Sequence, residues 1–177
     1  MNRVEQALRQ TAAALNKRDQ TWALVGGFAV ADDNGAEELV RALMGDGYSF
    51  SASVEHDNGR LATVRLRRAV EGIDVLIDLL FASSGIEPEI AEAADQLEVV
   101  PGLTLPVATT GHLIALKLLA RDDDYRPQDL ADLRELFAAA TPSDVAVARE
   151  AVGLITARGF NRYRDLTGAL EEFLKAG

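Results

Sequence analysis

Hydrophobic and polar positions follow two different periods along this chain. Apolar residues three and four positions apart mark amphipathic helices, whereas alternation or a short continuous apolar run marks a strand. The helical period predicts helices over residues 4–15, 36–44, 88–94, 112–121, 127–139, 142–157 and 165–175. The strand patterns cover residues 21–25, 48–55, 60–68, 72–81, 97–100 and 103–107. No strand pattern occurs after residue 107, so the chain from there to its last residue is predicted to be helical.

Turn and cap residues fit these boundaries. Asn58 and Gly59 supply the positive φ angles that a tight turn needs between the second and third strands. Asp33 or Asn34 is predicted to cap the second helix, and Thr110 the fourth, because short oxygen-bearing side chains accept hydrogen bonds from the first helical N–H groups.

These elements predict an α+β fold, with a mixed β-sheet flanked by helices and a carboxy-terminal helical bundle. We assign residues 1–108 to an α/β core and 109–177 to the bundle, and we expect the two to form one compact unit. The strand over 72–81 is almost continuous in Ile, Val and Leu. Such a run is typical of a central strand that is buried on both faces.

Composition and charge narrow the chemistry. The chain has 177 residues, no cysteine, two histidines and a formal charge of −10. Without cysteine it cannot form disulfides, thiolate zinc sites or a cysteine nucleophile, and His56 and His112 are too far apart in sequence to suggest a histidine metal site. Any metal would therefore be held by carboxylates. With no apolar run of bilayer length, we expect a cytoplasmic protein without a membrane partner.

Two aspartates lie inside the most hydrophobic strand. Asp74 and Asp78 are four residues apart, so both side chains project from the same face. A buried carboxylate without a partner is costly, and a bound cation would relieve the repulsion between the two. They are therefore candidate metal ligands. The alternative is that they pair with Arg65 or Arg67 of the preceding strand.

Glycines and cations offer possible contacts to an anion. Gly26 and Gly27 could bring backbone N–H groups to a phosphate at the amino terminus of the next helix, although most such pairs are only turns. Lys117 interrupts an apolar helix surface, with Arg121 one turn later. This lysine either extends to water or presents its charge to a bound anion.

Two further carboxylates follow in the next helix. Asp129 and Asp132 are three positions apart and share one helix face. Asp129 is also suited to the first helical turn, where an acidic side chain favours the helix dipole.

The order and spacing of these segments resemble the AbiEii group of nucleotidyltransferases. This group belongs to the DNA polymerase β-like nucleotidyltransferase superfamily and includes mycobacterial toxins of toxin–antitoxin systems. The resemblance spans residues 22–137 and rests on four segments, namely 25–30, 77–81, 113–117 and 126–133. It implies a nucleotidyltransferase-like fold and transfer of a nucleoside monophosphate from an NTP to the 3′ end of tRNA, which would block translation.

The resemblance also implies a site. Two Mg²⁺ ions would assist the transfer, the NTP and the tRNA acceptor end would be the substrates, and a cognate antitoxin would be the protein partner. Because they interrupt or end apolar elements, we expect Val25, Asp78 and Lys117 to lie in one cleft between the sheet and the carboxy-terminal helices. We also expect Asp74 to join Asp78 as a metal ligand. The assigned roles are catalytic for Asp78, Lys117 and Asp132, and nucleotide-binding for Gly26, Gly27, Lys117 and Arg121.

The chain departs from the family directly after the glycine pair. There the family has a strand with an Arg-x-Thr-x-Asp-x-Asp motif, whose two aspartates hold the metals. Here Val30 runs into the adjacent Asp32 and Asp33, whose side chains diverge and cannot replace an Asp-x-Asp pair. Either this member lacks the motif or a segment between Val30 and Asp32 is missing from the sequence, and we expect the second. The alternatives to the toxin are a catalytically inactive nucleotidyltransferase-like binding protein and an antitoxin or kinase-like member.

Overall fold

The computed structural model describes residues 2–121 and 127–176, apart from the side chains of residues 127 and 176. The helices are α1 (Arg3–Asn16), α2 (Ala36–Gly45), α3 (Glu87–Glu92), α4 (Thr110–Ala120), α5 (Pro127–Ala139), α6 (Pro142–Ala157) and α7 (Leu166–Ala176). The strands are β1 (Trp22–Leu24), β2 (Phe28–Val30), β3 (Ser49–Glu55), β4 (Leu61–Val70), β5 (Ile73–Leu80), β6 (Asp95–Val100) and β7 (Leu103–Val107). No helix in this part of the chain is both long and apolar enough to cross a membrane.

The chain divides into a sheet unit, formed by Met1–Ser83 and Glu87–Ala108, and a helical unit, formed by Ser84–Ile86 and Thr109–Gly177. The sheet unit holds one seven-stranded sheet in the order β3-β4-β5-β2-β1-β7-β6. The pairs β2–β5 and β1–β7 are parallel and the remaining pairs are antiparallel. The predicted fold of a mixed sheet with flanking helices and a carboxy-terminal helical bundle is therefore confirmed.

The core of the sheet unit lies where α1 and α2 place their apolar stripes. Leu15 of α1 and Leu43 of α2 are fully buried in one cluster with Leu66 of β4 and Leu79 of β5. Full burial of such a side chain stabilises the fold by about 1.5–3 kcal/mol. Trp22 is buried in the same cluster, and its indole N–H donates to the side-chain oxygen of Asn16 at 2.9 Å.

In the helical unit, α4 is buried over most of its surface and packs closely against α6. Gly111 permits this approach, since a Cβ there would meet the Asp144 carbonyl oxygen and lie 2.7 Å from Cβ of Val147. Thr141 and Asp144 form a capping box at the start of α6, in which each side chain accepts the other residue's backbone N–H.

Three local predictions differ from the structure. The residue before α2 is Gly35 rather than Asp33 or Asn34, and the α4 cap is Thr109, which accepts the N–H of His112. Strand β2 was not predicted, because three residues are too few to show a period.

The prediction that β5 is buried on both faces is wrong for its first half. Strand β5 pairs with β4 along its whole length, but β2 joins it only at Leu79 and Leu80. Ile73 and Leu76 lie before that pairing and are 49% and 55% exposed. The apolar run reflects strand propensity here, not burial.

Candidate functional site

Gly26 and Gly27 form the turn of a β-hairpin. Strands β1 and β2 pair antiparallel on either side of it, and the Val25 N–H donates to the Gly27 carbonyl at 2.9 Å. Gly26 has φ +98°, a conformation that residues with a side chain rarely adopt. The next element is strand β2, and the next helix, α2, begins only at Ala36, so the glycines do not lie at a helix amino terminus. Their proposed contact to phosphate now rests on the family resemblance alone.

Gly27 is needed for a close approach to β5. A Cβ at this position would lie 2.9 Å from both the Asp78 carbonyl oxygen and Cδ1 of Leu80. Real Cβ atoms essentially never come so near backbone, so a substitution would push β2 away from β5. Backbone packing therefore explains this glycine in the structure.

The connection from β2 to α2 is short and is held by hydrogen bonds and an ion pair. The Ala31 N–H donates to the Thr21 carbonyl at 2.9 Å, which continues the β1–β2 ladder past Val30. Asp32 then accepts the Asn34 N–H, and Asp33 forms an ion pair with Arg60. In the given sequence Val30 and Asp32 are thus joined by a short bonded turn, and the expectation of a missing segment between them stays a prediction.

Asp78 is bonded by an arginine. Arg65 lies directly opposite it on β4, and Nε and Nη2 of Arg65 donate to the two carboxylate oxygens at 2.7 and 2.8 Å. This is the bidentate geometry in which arginine binds carboxylates most strongly. The hydrogen bond and the charge of Asp78 raise the pKa of the Arg65 guanidinium, so the arginine is held as a cation. Asp78 thus forms the ion pair with Arg65 of β4 that is the predicted alternative to a metal ligand.

Asp74 lies on the same face of β5, as predicted, but too far along the strand to act with Asp78. Four residues at about 3.3 Å each separate the two by about 13 Å. Carboxylates that share a Mg²⁺ ion must each reach within about 2.1 Å of it. Asp74 instead lies 3.7 Å from Nη1 of Arg67. The idea that Asp74 and Asp78 hold one ion together is therefore wrong.

No cluster of three or more metal-binding side chains occurs among the residues that the structure describes. Of the two strand aspartates, each faces its own arginine of β4. The described residues thus do not fit the two-metal centre that the family resemblance implies.

In the helical unit, Lys117 connects α4 to α5. Its ammonium donates to Asp129 at 2.9 Å and to Asp132 at 2.6 Å. Partial burial lowers the pKa of Lys117, but the hydrogen bonds and charges of the two carboxylates outweigh that effect and raise it. The lysine is therefore a cation at neutral pH, held by two anions in a fixed position.

Asp129 is the buried member of this group. Its side chain is 8% exposed, against 47% for Asp132 and 33% for Lys117. One carboxylate oxygen, Oδ2, is buried without a hydrogen-bond partner in the part of the chain described. The family resemblance assigns the catalytic role to Asp132, whereas the sequence also allows Asp129 to be a first-turn acid, and helical spacing does not show its burial.

Arg121 follows α4 and stacks on an aromatic ring. Its guanidinium carbon lies 5.5 Å from the centroid of the Phe173 ring in α7. Its predicted support of Lys117 in nucleotide binding stays a prediction. So does the common cleft for Asp78 and Lys117, which belong to different units. Arg126, the first residue of the fourth family segment, lies outside the described residues.

Comparison with known proteins gives one informative result. No protein-family model matches the chain, and no curated protein matches its sequence. The structure is similar to the crystal structure of an antigenic nucleotidyltransferase-like protein from Paracoccidioides brasiliensis, with a TM-score of 0.52 over 94% of this chain and 91% of that chain. The fold is nucleotidyltransferase-like. At 15% identity the likeness concerns the fold alone and does not extend to the AbiEii group or to particular site residues.

On this nucleotidyltransferase-like fold the two groups of candidate residues differ in chemistry. The carboxylate of Asp78 accepts two hydrogen bonds and is neutralised by Arg65. The ammonium of Lys117 has three N–H donors, two of which bond to carboxylates. The lysine thus keeps a donor for a further oxygen, such as one of a phosphate, whereas the strand aspartate is already paired.

Proposed function

We propose that this protein is a nucleotidyltransferase-like binding protein that takes up a nucleoside triphosphate through Lys117 and does not transfer the nucleotide. The bidentate Arg65–Asp78 ion pair is the observation that carries the proposal. It occupies Asp78, the strand carboxylate that the family resemblance assigns to both catalysis and the metals.

Two-metal transfer requires carboxylates gathered around two ions that lie about 3.5–4 Å apart. The hairpin of β1 and β2 contains no Asp-x-Asp pair, and Asp74 is about 13 Å along the strand from Asp78. An arginine also supplies the positive charge that a metal would bring to Asp78. The sheet unit therefore supports binding better than metal-dependent chemistry.

Nucleotide binding is supported by the ordered ammonium of Lys117. The carboxylates of Asp129 and Asp132 fix its position, so little side-chain entropy is lost when it contacts a ligand. Arg121 at the end of the same helix adds a second positive charge, which brings the four groups to a formal charge of zero. An Mg²⁺–NTP complex carries its own counter-ion and is the chemical form we expect to bind.

A second candidate is the toxin activity implied by the resemblance, transfer of a nucleoside monophosphate to the 3′ end of tRNA. One observation favours it, since Lys117 and Asp132, both assigned to catalysis by the resemblance, are in direct contact. This candidate requires two Mg²⁺ ions, a tRNA acceptor end and, for its control, a cognate antitoxin.

One experiment separates the two candidates. Each labelled NTP is incubated with the protein, Mg²⁺ and total tRNA, and both NTP binding and label transfer to RNA are measured. We expect binding without transfer, unchanged in Asp78→Asn and lost in the double variant Lys117→Met/Asp129→Asn, which removes the ammonium without leaving a buried charge. Arg149→Gln, on the exposed surface of α6, is the matched charge control.

Label transfer to tRNA by the native protein that disappears in Asp78→Asn would support the second candidate and reject the proposal of binding without transfer. Absence of NTP binding in the native protein would reject both.

A further inference from the structure

A cleft of about 820 Å³ opens between α5 and α7 in the helical unit. Its size falls within the range of pockets that hold small organic ligands, about 300–1,000 Å³. Apart from Arg121, none of the predicted site residues lines it. The lining from α5 consists of Leu130, Arg134, Phe137 and Ala138.

Most of the residues that line the cleft are apolar. The four α5 residues are spaced as i, i+4, i+7 and i+8 and so form one stripe along the helix. Phe137 stacks on Phe173 of α7, with ring centroids 4.9 Å apart and planes within 7°. Leu174 extends this surface on the α7 side. The cleft therefore offers a preformed surface to an apolar chain or ring.

Two guanidinium groups lie on this apolar wall. Arg121 lies over the Phe173 ring, with its guanidinium carbon 5.5 Å from the ring centroid, a cation–π contact that favours this position of the arginine. Arg134 is exposed and forms no ion pair with any described carboxylate, including Glu172, which lines the same cleft. The cleft lining contains Arg121, Arg134 and Glu172 as its charged side chains, and Arg134 is the one that the anionic group of a ligand would meet first.

We propose that the cleft binds an amphipathic anion, a molecule with an apolar body and a single carboxylate or phosphate group. The body would lie against Leu130, Phe137 and Leu174, and the anionic group would bond to Arg134 with Arg121 beside it. A planar guanidinium matches both carboxylate and phosphate through two parallel N–H donors. The cleft shares Arg121 with the proposed nucleotide site, whereas Arg134 belongs to the cleft and not to that site.

The test uses three probes that share a ten-carbon chain and differ in the head group: decanoate, decyl phosphate and decan-1-ol. Binding to the full-length protein is measured by isothermal titration calorimetry below the concentration at which the probes aggregate. We expect at least one anionic probe to bind with one-to-one stoichiometry and at least tenfold more tightly than the alcohol. The stronger of the two anions identifies the head group.

Three variants locate the site. Arg134→Gln is expected to weaken the anion at least tenfold and to leave the alcohol unchanged. Ala138→Tyr fills the cleft from an exposed helix position, removes no core contact and should abolish binding of all three probes. Arg149→Gln, an exposed arginine of α6, should change nothing.

Equal affinity for decanoate and decan-1-ol would overturn the proposal, as would anion binding that persists in Arg134→Gln or Ala138→Tyr. Failure of all three probes, together with binding of an acidic amphipathic peptide that Ala138→Tyr abolishes, would assign the cleft to a protein partner instead. Circular dichroism of each variant verifies that the helices are intact.

Discussion

Replacing Lys117 by methionine should destabilise the helical unit, because it leaves the carboxylate of Asp129 buried without a cation. Methionine keeps most of the length and apolar volume of the lysine stem, so the variant removes the charge and not the packing. Asp129 is 8% exposed, whereas Lys117 is 33% exposed. The expected loss therefore lies between that of a surface pair and that of a fully buried one.

The magnitude follows from those two limits. Exposed ion pairs contribute about 0–1 kcal/mol, and breaking a buried pair costs about 3–5 kcal/mol. For Lys117→Met we expect a loss of about 2–3 kcal/mol in the free energy of unfolding. Asp132→Asn should cost less than about 1 kcal/mol, since Asp132 is 47% exposed and Asp129 still holds the lysine.

Urea denaturation followed by far-ultraviolet circular dichroism measures these losses. The double variant Lys117→Met/Asp129→Asn should be more stable than the sum of its single variants predicts, by about 1 kcal/mol or more, because it buries no unpaired charge. Since the pKa of Lys117 is raised above its ordinary value of 10.5, the pair's contribution is complete at neutral pH and is lost only as the pH rises above that value. Strict additivity, or a loss below about 0.5 kcal/mol for Lys117→Met, would refute this account.

Three further changes should act through packing and capping. Gly111→Ala should lower the free energy of unfolding by about 1–3 kcal/mol, because the Cβ of the new alanine meets the α6 backbone. Differential scanning calorimetry of the variant and the native protein measures this loss. Gly27→Ala should lower the free energy of unfolding of the sheet unit by a similar amount. The fluorescence of Trp22, which is buried in that unit, measures this loss during denaturation. Thr141→Ala should cost about 1 kcal/mol as the loss of an amino-terminal cap. Hydrogen bonds from the Thr141 hydroxyl and N–H lower the pKa of Asp144 below its ordinary value of 3.8. The stabilisation by this cap is therefore complete above pH 3.8 and is lost as the pH falls through the lower pKa of the folded state. Asp144→Asn should lack this pH dependence.

The fold class could be predicted because most elements are long enough to show their period. Helix α5 was predicted over Pro127–Ala139, its observed bounds, and the hairpin of β3 and β4 was marked by Asn58 and Gly59. Strand β2 escaped prediction, since three residues carry no period. The exposure of the first half of β5 could not be foreseen either, because it depends on how far a neighbouring strand extends.

The candidate site shows the same division. That Lys117 interrupts an apolar face and that Asp132 lies on the next helix could both be read from spacing, and the two are in contact. The burial of Asp129 depends on how α5 packs, which helical spacing does not determine. Likewise, the pairing of Phe137 with Phe173 joins residues of two helices that are far apart in sequence.

Gly27 and Asp78, two residues on which the family resemblance depends, are in contact with each other in the structure. Gly27 lies against the backbone of Asp78, so the two positions constrain each other through the β2–β5 pairing. Asp78 in turn bonds Arg65 across β4, a contact that needs the carboxylate but no metal. Structural demands therefore account for both residues in this chain. Strand β1 runs through the glycine turn directly into β2, so no further strand that could present a second carboxylate lies between β1 and β2. For this protein, the presence of these two residues is evidence for the fold, and only measured NTP binding or transfer is evidence for function.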